Sequence, residues 1–328
     1  MKLLKLVPDD TNFDFVRLRG WAFGLTLALS LIALGLVFSR GLNFGVDFTG
    51  GLSIEEKFDQ PPSLDRVREI VDAQGVGQAA LQQSTDQRTV TIRLPVQDSA
   101  DEGATNAVVR KVQAAIAADF PGATFSRYAT VGGKVSNELI RNGVLAVVLA
   151  VLGIGLFAIF RFEWQFGVST IVAIVHDLLM TIGFFALMRD YFEFDLNTVA
   201  AVLTIIGYSI NDKIVIDDRI RENMRRYRKM EMRDIINLSV NETLPRTVMT
   251  SVTILLALGA LLLLGGHVLR GFTSAMILGI VVGTYSSIYV SSSLLIALGL
   301  RAEPNREKPG TTDKTRRQDA ERIAPRES

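Results

Sequence analysis

A membrane-embedded, all-α bundle of six spans, with one small α+β domain set between the first and second, is the architecture this 328-residue sequence predicts. Three observations carry that expectation. Charged residues are kept out of long apolar runs, Lys and Arg are concentrated in one set of loops, and a single stretch of about 100 residues has ordinary globular composition.

The averages conceal the segregation. Hydrophobic residues make up 48% of the chain, 35 Lys and Arg stand against 34 Asp and Glu, and the net charge is only +1. Mean hydropathy is +0.29. Yet no Asp, Glu, Lys or Arg lies between Arg19 and Arg40, Arg141 and Arg161, Arg246 and His267, or Arg270 and Arg301. A spanning helix needs about 20 mostly apolar residues. Runs of this length exclude a soluble enzyme, a collagenous chain and a disordered chain.

Six spans follow: Gly20 to about Phe38, Asn142 to Phe160, Phe166 to Met188, Leu196 to about Ile216, Thr247 to Gly266, and one within Gly271 to Leu300. The first run is too long for a signal peptide, and Val37-Phe38-Ser39-Arg40 offers no small-residue cleavage site. It is expected to be retained. Orientation comes from the short loops. Residues 1–19, the turn at Arg161, the loop 218–246 and the tail 301–328 carry 21 Lys and Arg, whereas the opposite short loops hold only Arg189 and Arg270. Both termini are therefore expected in the cytoplasm. The tail is charged and expected to be disordered, with at most a mild attraction to anionic lipid or RNA.

Residues 40–141 would then be exported. The pattern reads strand (52–58), helix (63–73), two strands (79–84 and 88–94), helix (103–118) and strand (124–131). This β-α-β-β-α-β order is the ferredoxin-like split motif. The stretch has no His and the chain has no Cys, so the domain is expected to bind or to move rather than to catalyse. Two widely separated histidines make a metal centre unexpected. A short amphipathic segment, Lys134 to Arg141, is expected at the membrane surface.

Four ionisable side chains interrupt the apolar spans: His176 and Asp177 in the third, Asp212 and Lys213 in the fourth. A charge at a helix centre costs about 2.5–3.5 kcal/mol on insertion scales, and such groups mark ion paths. Asp212 lies about 24 Å along the fourth span at 1.5 Å per residue. Ser209 and Tyr208 precede it at i−3 and i−4, and Asn211 adjoins it. Arg246, at the start of the fifth span, falls at a comparable depth. A carboxylate that an arginine approaches and leaves would take up and release a proton. Asp212 and Arg246 are the expected relay. Asn211, Ser209, His176, Asp177 and Lys213 are its expected polar support, although a structural helix–helix bond is an equal reading for His176–Asp177. In the sixth span, Gly279-x-x-x-Gly283 is the spacing for close helix approach.

The motifs converge. Gly45-Val46-Asp47-Phe48-Thr49-Gly50-Gly51 follows the first span, Val175-His176-Asp177 lies in the third, and Leu203 to Asp212 fills the fourth. Asn241-Glu242-Thr243-Leu244-Pro245-Arg246-Thr247 opens the fifth. In this order they resemble the SecF branch of the SecD/SecF protein-export family over residues 10 to 300. The resemblance implies half of a resistance-nodulation-division membrane unit, with SecD supplying the other six helices. It implies association with the SecYEG channel, with YajC and with a translocating preprotein, in the bacterial inner membrane. Proton flow would drive the exported domains, with sodium as the other ion a carboxylate suits. Asp212 and Arg246 match the family's intramembrane acid and arginine. Asp47, Phe48, Gly50 and Gly51 match its motif at the base of the exported domain. Lys213 and Asp217 depart from the family pattern. No cofactor, nucleic acid or enzymatic activity is implied. An aspartyl protease built on Asp177 and Asp212 would lack the Gly-x-Gly-Asp context, and a passive assembly subunit is the competing reading.

Overall fold

The computed structural model describes residues 7–8, 11–77, 79–84, 86–95, 102–266 and 269–301. The tail after Arg301 and the basic residues Lys2 and Lys5 lie outside them.

Helix α1 (Arg19–Arg40) is apolar on nearly every face and buries only Ala22 and Ala33. A helix so exposed and so greasy has lipid as its solvent. Ala33 meets α6 (Trp164–Leu187) at Gly183, where any Cβ would strike it. Helix α5 (Gly133–Arg161) is similarly outward-facing, whereas α6 and α7 (Leu196–Arg226) are half enclosed and form the middle of the bundle. Helix α8 (Met232–Leu264) and α9 (Arg270–Tyr285) complete it. With the last helical stretch, Arg270–Ala297, six helices are long and apolar enough to cross a membrane.

Three boundaries differ from expectation. Lys134–Arg141 is no separate surface segment, because α5 runs unbroken from Gly133. Polar residues end an apolar run, but without Gly or Pro they do not end a helix. For the same reason α7 continues past Ile216 to Arg226, and α8 begins at Met232 rather than Thr247. The segment 218–246 is therefore mostly helix, turning only near 227–231. Pro245 sits inside α8, where it removes one backbone bond. One turn earlier, the Asn241 side chain grips the backbone of Phe13 in both directions, at 2.8 Å each. The sixth span is also interrupted. After α9 the chain loosens into a π-helical turn, Ser286–Ser291, before α10 (Ser292–Ala297) resumes.

The inserted domain follows a single-turn helix, α2 (Val46–Thr49). Its elements are β1 (Gly51–Lys57), α3 (Leu64–Asp72), β2 (Ala80–Gln83), β3 (Thr89–Leu94), α4 (Glu102–Asp119) and β4 (Thr124–Val131). The sheet order is β2-β3-β1-β4, all antiparallel, with Ile54 opposite Ile92 and Tyr128. Alternate residues Leu52, Ile54, Val90 and Ile92 pack beneath Val67, Val71, Val112 and Ile116 of the two helices. Gly50 and Gly51 turn the chain from α2 into β1 with φ of 70° and 115°. A side chain at Gly51 would also collide with the Leu94 carbonyl.

Glu56 on β1 is buried, its Oε1 has no hydrogen-bond partner, and burial pushes its carboxyl up to about 7. The folded domain thus prefers the neutral acid. Below pH 4.5 both states are protonated and stability is fully present. It is lost as pH rises from there through about 7. Glu56→Gln should remove roughly 1–2 kcal/mol of this penalty. Hydrogen exchange at the β1 and β3 amides, corrected for intrinsic rate, should then become pH-independent between 6 and 8. A variant that keeps the wild-type pH profile would clear Glu56 of the effect.

Candidate functional site

Two neighbouring polar groupings lie within the bundle. The first is centred on Asp177, whose side chain is fully buried midway along α6. Its Oδ1 pairs with Nδ1 of His176 at 3.0 Å. Its Oδ2 accepts from Ser209 of α7 at 2.6 Å and from Ser286, at the start of the π-helical turn, at 2.9 Å. One carboxylate therefore joins three helices. The small residues make this approach feasible. A Cβ on Gly279 would strike Ile205, and one on Gly283 would press on Ser209 at 3.2 Å. The Gly279-x-x-x-Gly283 spacing is thus a contact with α7. Nearby hydroxyls extend the grouping: Ser291 reaches Ser169, and Ser287 faces the Ser209 carbonyl. His176 Nε2 has no partner.

The second grouping faces α8. Tyr208 bonds Ser251 at 2.9 Å, and Ser251 bonds Thr284 at 3.0 Å. One turn further along α7 sits Asp212, 3% exposed. Antiparallel register sets it level with Thr247. Oδ2 of Asp212 and Oγ1 of Thr247 are both buried without a hydrogen-bond partner. Arg246 lies close enough to act electrostatically on Asp212, but no ion pair joins them, and Arg246 is exposed. A bare buried carboxyl beside a withdrawn arginine can bind or release a cation as the distance between them changes.

The remaining support residues fall elsewhere. Ser209 serves Asp177, not Asp212. Asn211 is exposed on the outer face of α7, in line with Thr204 and Gly207. Lys213 is fully buried and points away from Asp212. Its ammonium is bound by both oxygens of Asp217, one turn on, and lies 5.7 Å from the Phe166 ring centroid. Sequence reasoning noted Asp217 only as a departure, although i,i+4 spacing is the signal that pairs it with Lys213. Ser286 carries no sequence signal for its bond to Asp177, because a hydroxyl's partner on another helix leaves no local trace. Beyond Asp217, Arg219 bonds Glu242 at 2.7 Å, and Asn223 bonds the same carboxylate at 2.7 Å, clamping α7 to α8 below Arg246.

The Gly-x-Asp-Phe motif reaches this machinery from outside. Asp47 of α2 accepts from the Leu196 backbone N–H at 3.0 Å, across 149 residues, at the N-terminus of α7. Asp195 caps the same terminus through Thr198 at 2.8 Å. Two carboxylates there complement the helix dipole. The Gly45 N–H donates to the Phe194 carbonyl and the Phe194 N–H to the Asn43 carbonyl, Phe44, Phe48 and Phe194 pack together, and Arg93 of β3 binds the Phe44 carbonyl at 2.7 Å. Arg93 also pairs with Glu193 at 3.4 Å, where burial pushes the Glu193 carboxyl up against the pull of that arginine. The sheet domain is strapped to the end of the helix that carries Asp212. Asp47 and Phe48 thus connect directly to the fourth span, while Gly50 and Gly51 set the turn into β1.

A bundle of six helices long and apolar enough to cross a membrane, with buried ionisable side chains and a sheet domain inserted between the first two, defines a multi-pass membrane protein. Residues 111–301 match the C-terminal family of SecD/SecF protein export membrane proteins, and residues 35–62 match the SecD/SecF GG motif. The chain is 42% identical over 316 residues to the protein translocase subunit SecF of Cereibacter sphaeroides, covering 94% of this chain and 97% of that one. For the same subunit of Rickettsia akari the figures are 39% over 304 residues, 92% and 97%. The crystal structure of SecDF from Thermus thermophilus, a translocon-associated membrane protein, superposes with a TM-score of 0.80 at 38% identity, covering 90% of this chain and 40% of that one. The chain belongs to the SecF family of protein translocase subunits. It spans about 40% of the length of the SecDF chain it resembles.

Proposed function

We propose that the chain is the SecF half of a protein-export accessory complex in the bacterial inner membrane, with both termini in the cytoplasm and residues 40–141 forming an exported ferredoxin-like domain. SecD supplies the other half-bundle, and the assembly serves the SecYEG channel, with YajC, acting on the emerging preprotein. The outer face of α7, with exposed Thr204, Gly207 and Asn211 at membrane depth, supports close docking of a second helical half. The proton gradient does the work: Asp212 takes up and releases a proton as Arg246 approaches and leaves, and the strap at Asp47 passes the movement of α7 to the sheet domain. The single observation that carries this reading is Asp212, buried in a membrane helix with an unpartnered oxygen and an arginine within electrostatic reach. No cofactor is needed, and sodium could replace the proton at the same carboxylate.

The test is preprotein export into inverted membrane vesicles under an imposed proton gradient, with the nucleotide-driven step completed beforehand. Export should stop on adding a protonophore, and a sodium-selective ionophore should leave it intact. The opposite pattern would assign sodium. Indifference to both would leave a passive brace. The strap has its own outcome. Asp47→Ala removes a helix cap worth about 0.5–2 kcal/mol and should lower gradient-driven export several-fold. Asp47→Asn keeps an acceptor oxygen and should recover most of it. Equal losses in the two variants would show that charge, not the cap, matters at this position.

A further inference from the structure

A groove of about 480 Å³ opens sideways from the bundle at the end nearest the sheet domain. Its walls are Val144 and Val147 of α5, Leu178 of α6 and Val199 of α7, and Phe44 and Phe48 roof it. Val199 lies three residues, roughly 4.5 Å, from the end of α7, and Leu178 nine residues, roughly 14 Å, from the end of α6. The groove therefore occupies one leaflet, on the sheet-domain side. Its mouth is exposed at Val144 and Val148. On α5, Arg141 precedes those two residues by three and seven positions, and Lys134 precedes Arg141 by seven. Both cations stand on one stripe directly above the apolar wall. Both are exposed, and neither makes an ion pair among the described residues.

We propose that this groove holds one acyl chain of a phospholipid, with the phosphate seated against Arg141 and Lys134. The apolar lining matches the chain, and the cations match the headgroup at the depth where the chain ends. The two cations at the groove's outer end favour a phosphate headgroup over the apolar face of a partner helix. The lipid would lie against Phe48 and Val199, beside the contact that joins the sheet domain to α7.

The test uses vesicles from cells expressing the full chain together with its native partners. Phosphatidylglycerol carrying a diazirine near mid-chain is added, irradiated, and the labelled residues are mapped by mass spectrometry. Labelling at Val144, Val147 and Val199 should exceed by at least five-fold that at Leu149, which lies at a similar depth on the far side of α5. Arg141→Gln should reduce the groove signal several-fold while Leu149 is unchanged. Groove-filling Val147→Phe provides the second variant and should abolish it. Equal labelling on both faces of α5, or cross-links from groove residues to another protein in place of lipid, would overturn the proposal.

Discussion

Asp212→Asn is expected to abolish the gradient-dependent part of preprotein export while the chain still accumulates in the membrane at its normal level. The two side chains have nearly the same shape. Asp212 Oδ2 accepts no hydrogen bond, so the substitution removes no contact within the bundle. What it removes is the ability to bind and lose a proton. One charge crossing 100 mV releases about 2.3 kcal/mol. At 1.4 kcal/mol per tenfold, that biases a two-state movement by roughly 50-fold. Losing the bias should leave export at its gradient-independent floor, a fall of at least ten-fold under the imposed gradient. Arg246→Ala should give a similar loss by leaving the carboxyl without its switching partner, and Arg246→Lys a smaller one. Undiminished gradient-driven export by Asp212→Asn would sink the relay and leave SecF as scaffold.

Asp177→Ala should act in a different way, by loosening the bundle. The change strips the acceptor from Ser209 and the partner from His176, both buried, while Ser286 keeps the Gly283 carbonyl at 3.1 Å. Each unsatisfied buried group costs about 1–3 kcal/mol, so the sum should be about 2–6 kcal/mol. In mild detergent this should appear as a large fall in the aggregation temperature. Asp177→Asn retains one acceptor for the two serines and an amide for His176, and should lose only about 1 kcal/mol. Because Asp177 touches neither Asp212 nor Arg246, the Asn variant should keep much of its gradient-driven export where Asp212→Asn keeps none. An Ala variant as stable as wild type would show that the three helices are held by packing alone.

These two acids illustrate how far local signals reach. Both were visible as charges in apolar spans, because insertion cost makes any such residue conspicuous. Their environments were not visible. Ser209 precedes Asp212 by three positions and reads as its neighbour, yet its hydroxyl turns to Asp177 on another helix. Asn211 adjoins Asp212 in sequence but lies about 100° around the helix, which places it on the outer face. Lys213 reads as a charge beside Asp212, and the same rotation carries it to Asp217.

By itself, the sequence determined which elements exist. Charge-free runs define four of the six spans and apolar runs broken by a pair of ionisable residues the other two, local patterning defines the four strands, and glycines at 50 and 51 mark the turn into the sheet. Those features are encoded locally, by hydropathy, periodicity and backbone freedom. Only the tertiary structure decided that Asp47 caps a helix 149 residues away, that Asp177 joins three helices, and that an apolar groove opens beneath Phe44 and Phe48. Each depends on how the helices dock. Docking is set by the summed packing of many distant side chains, which no short window of sequence contains.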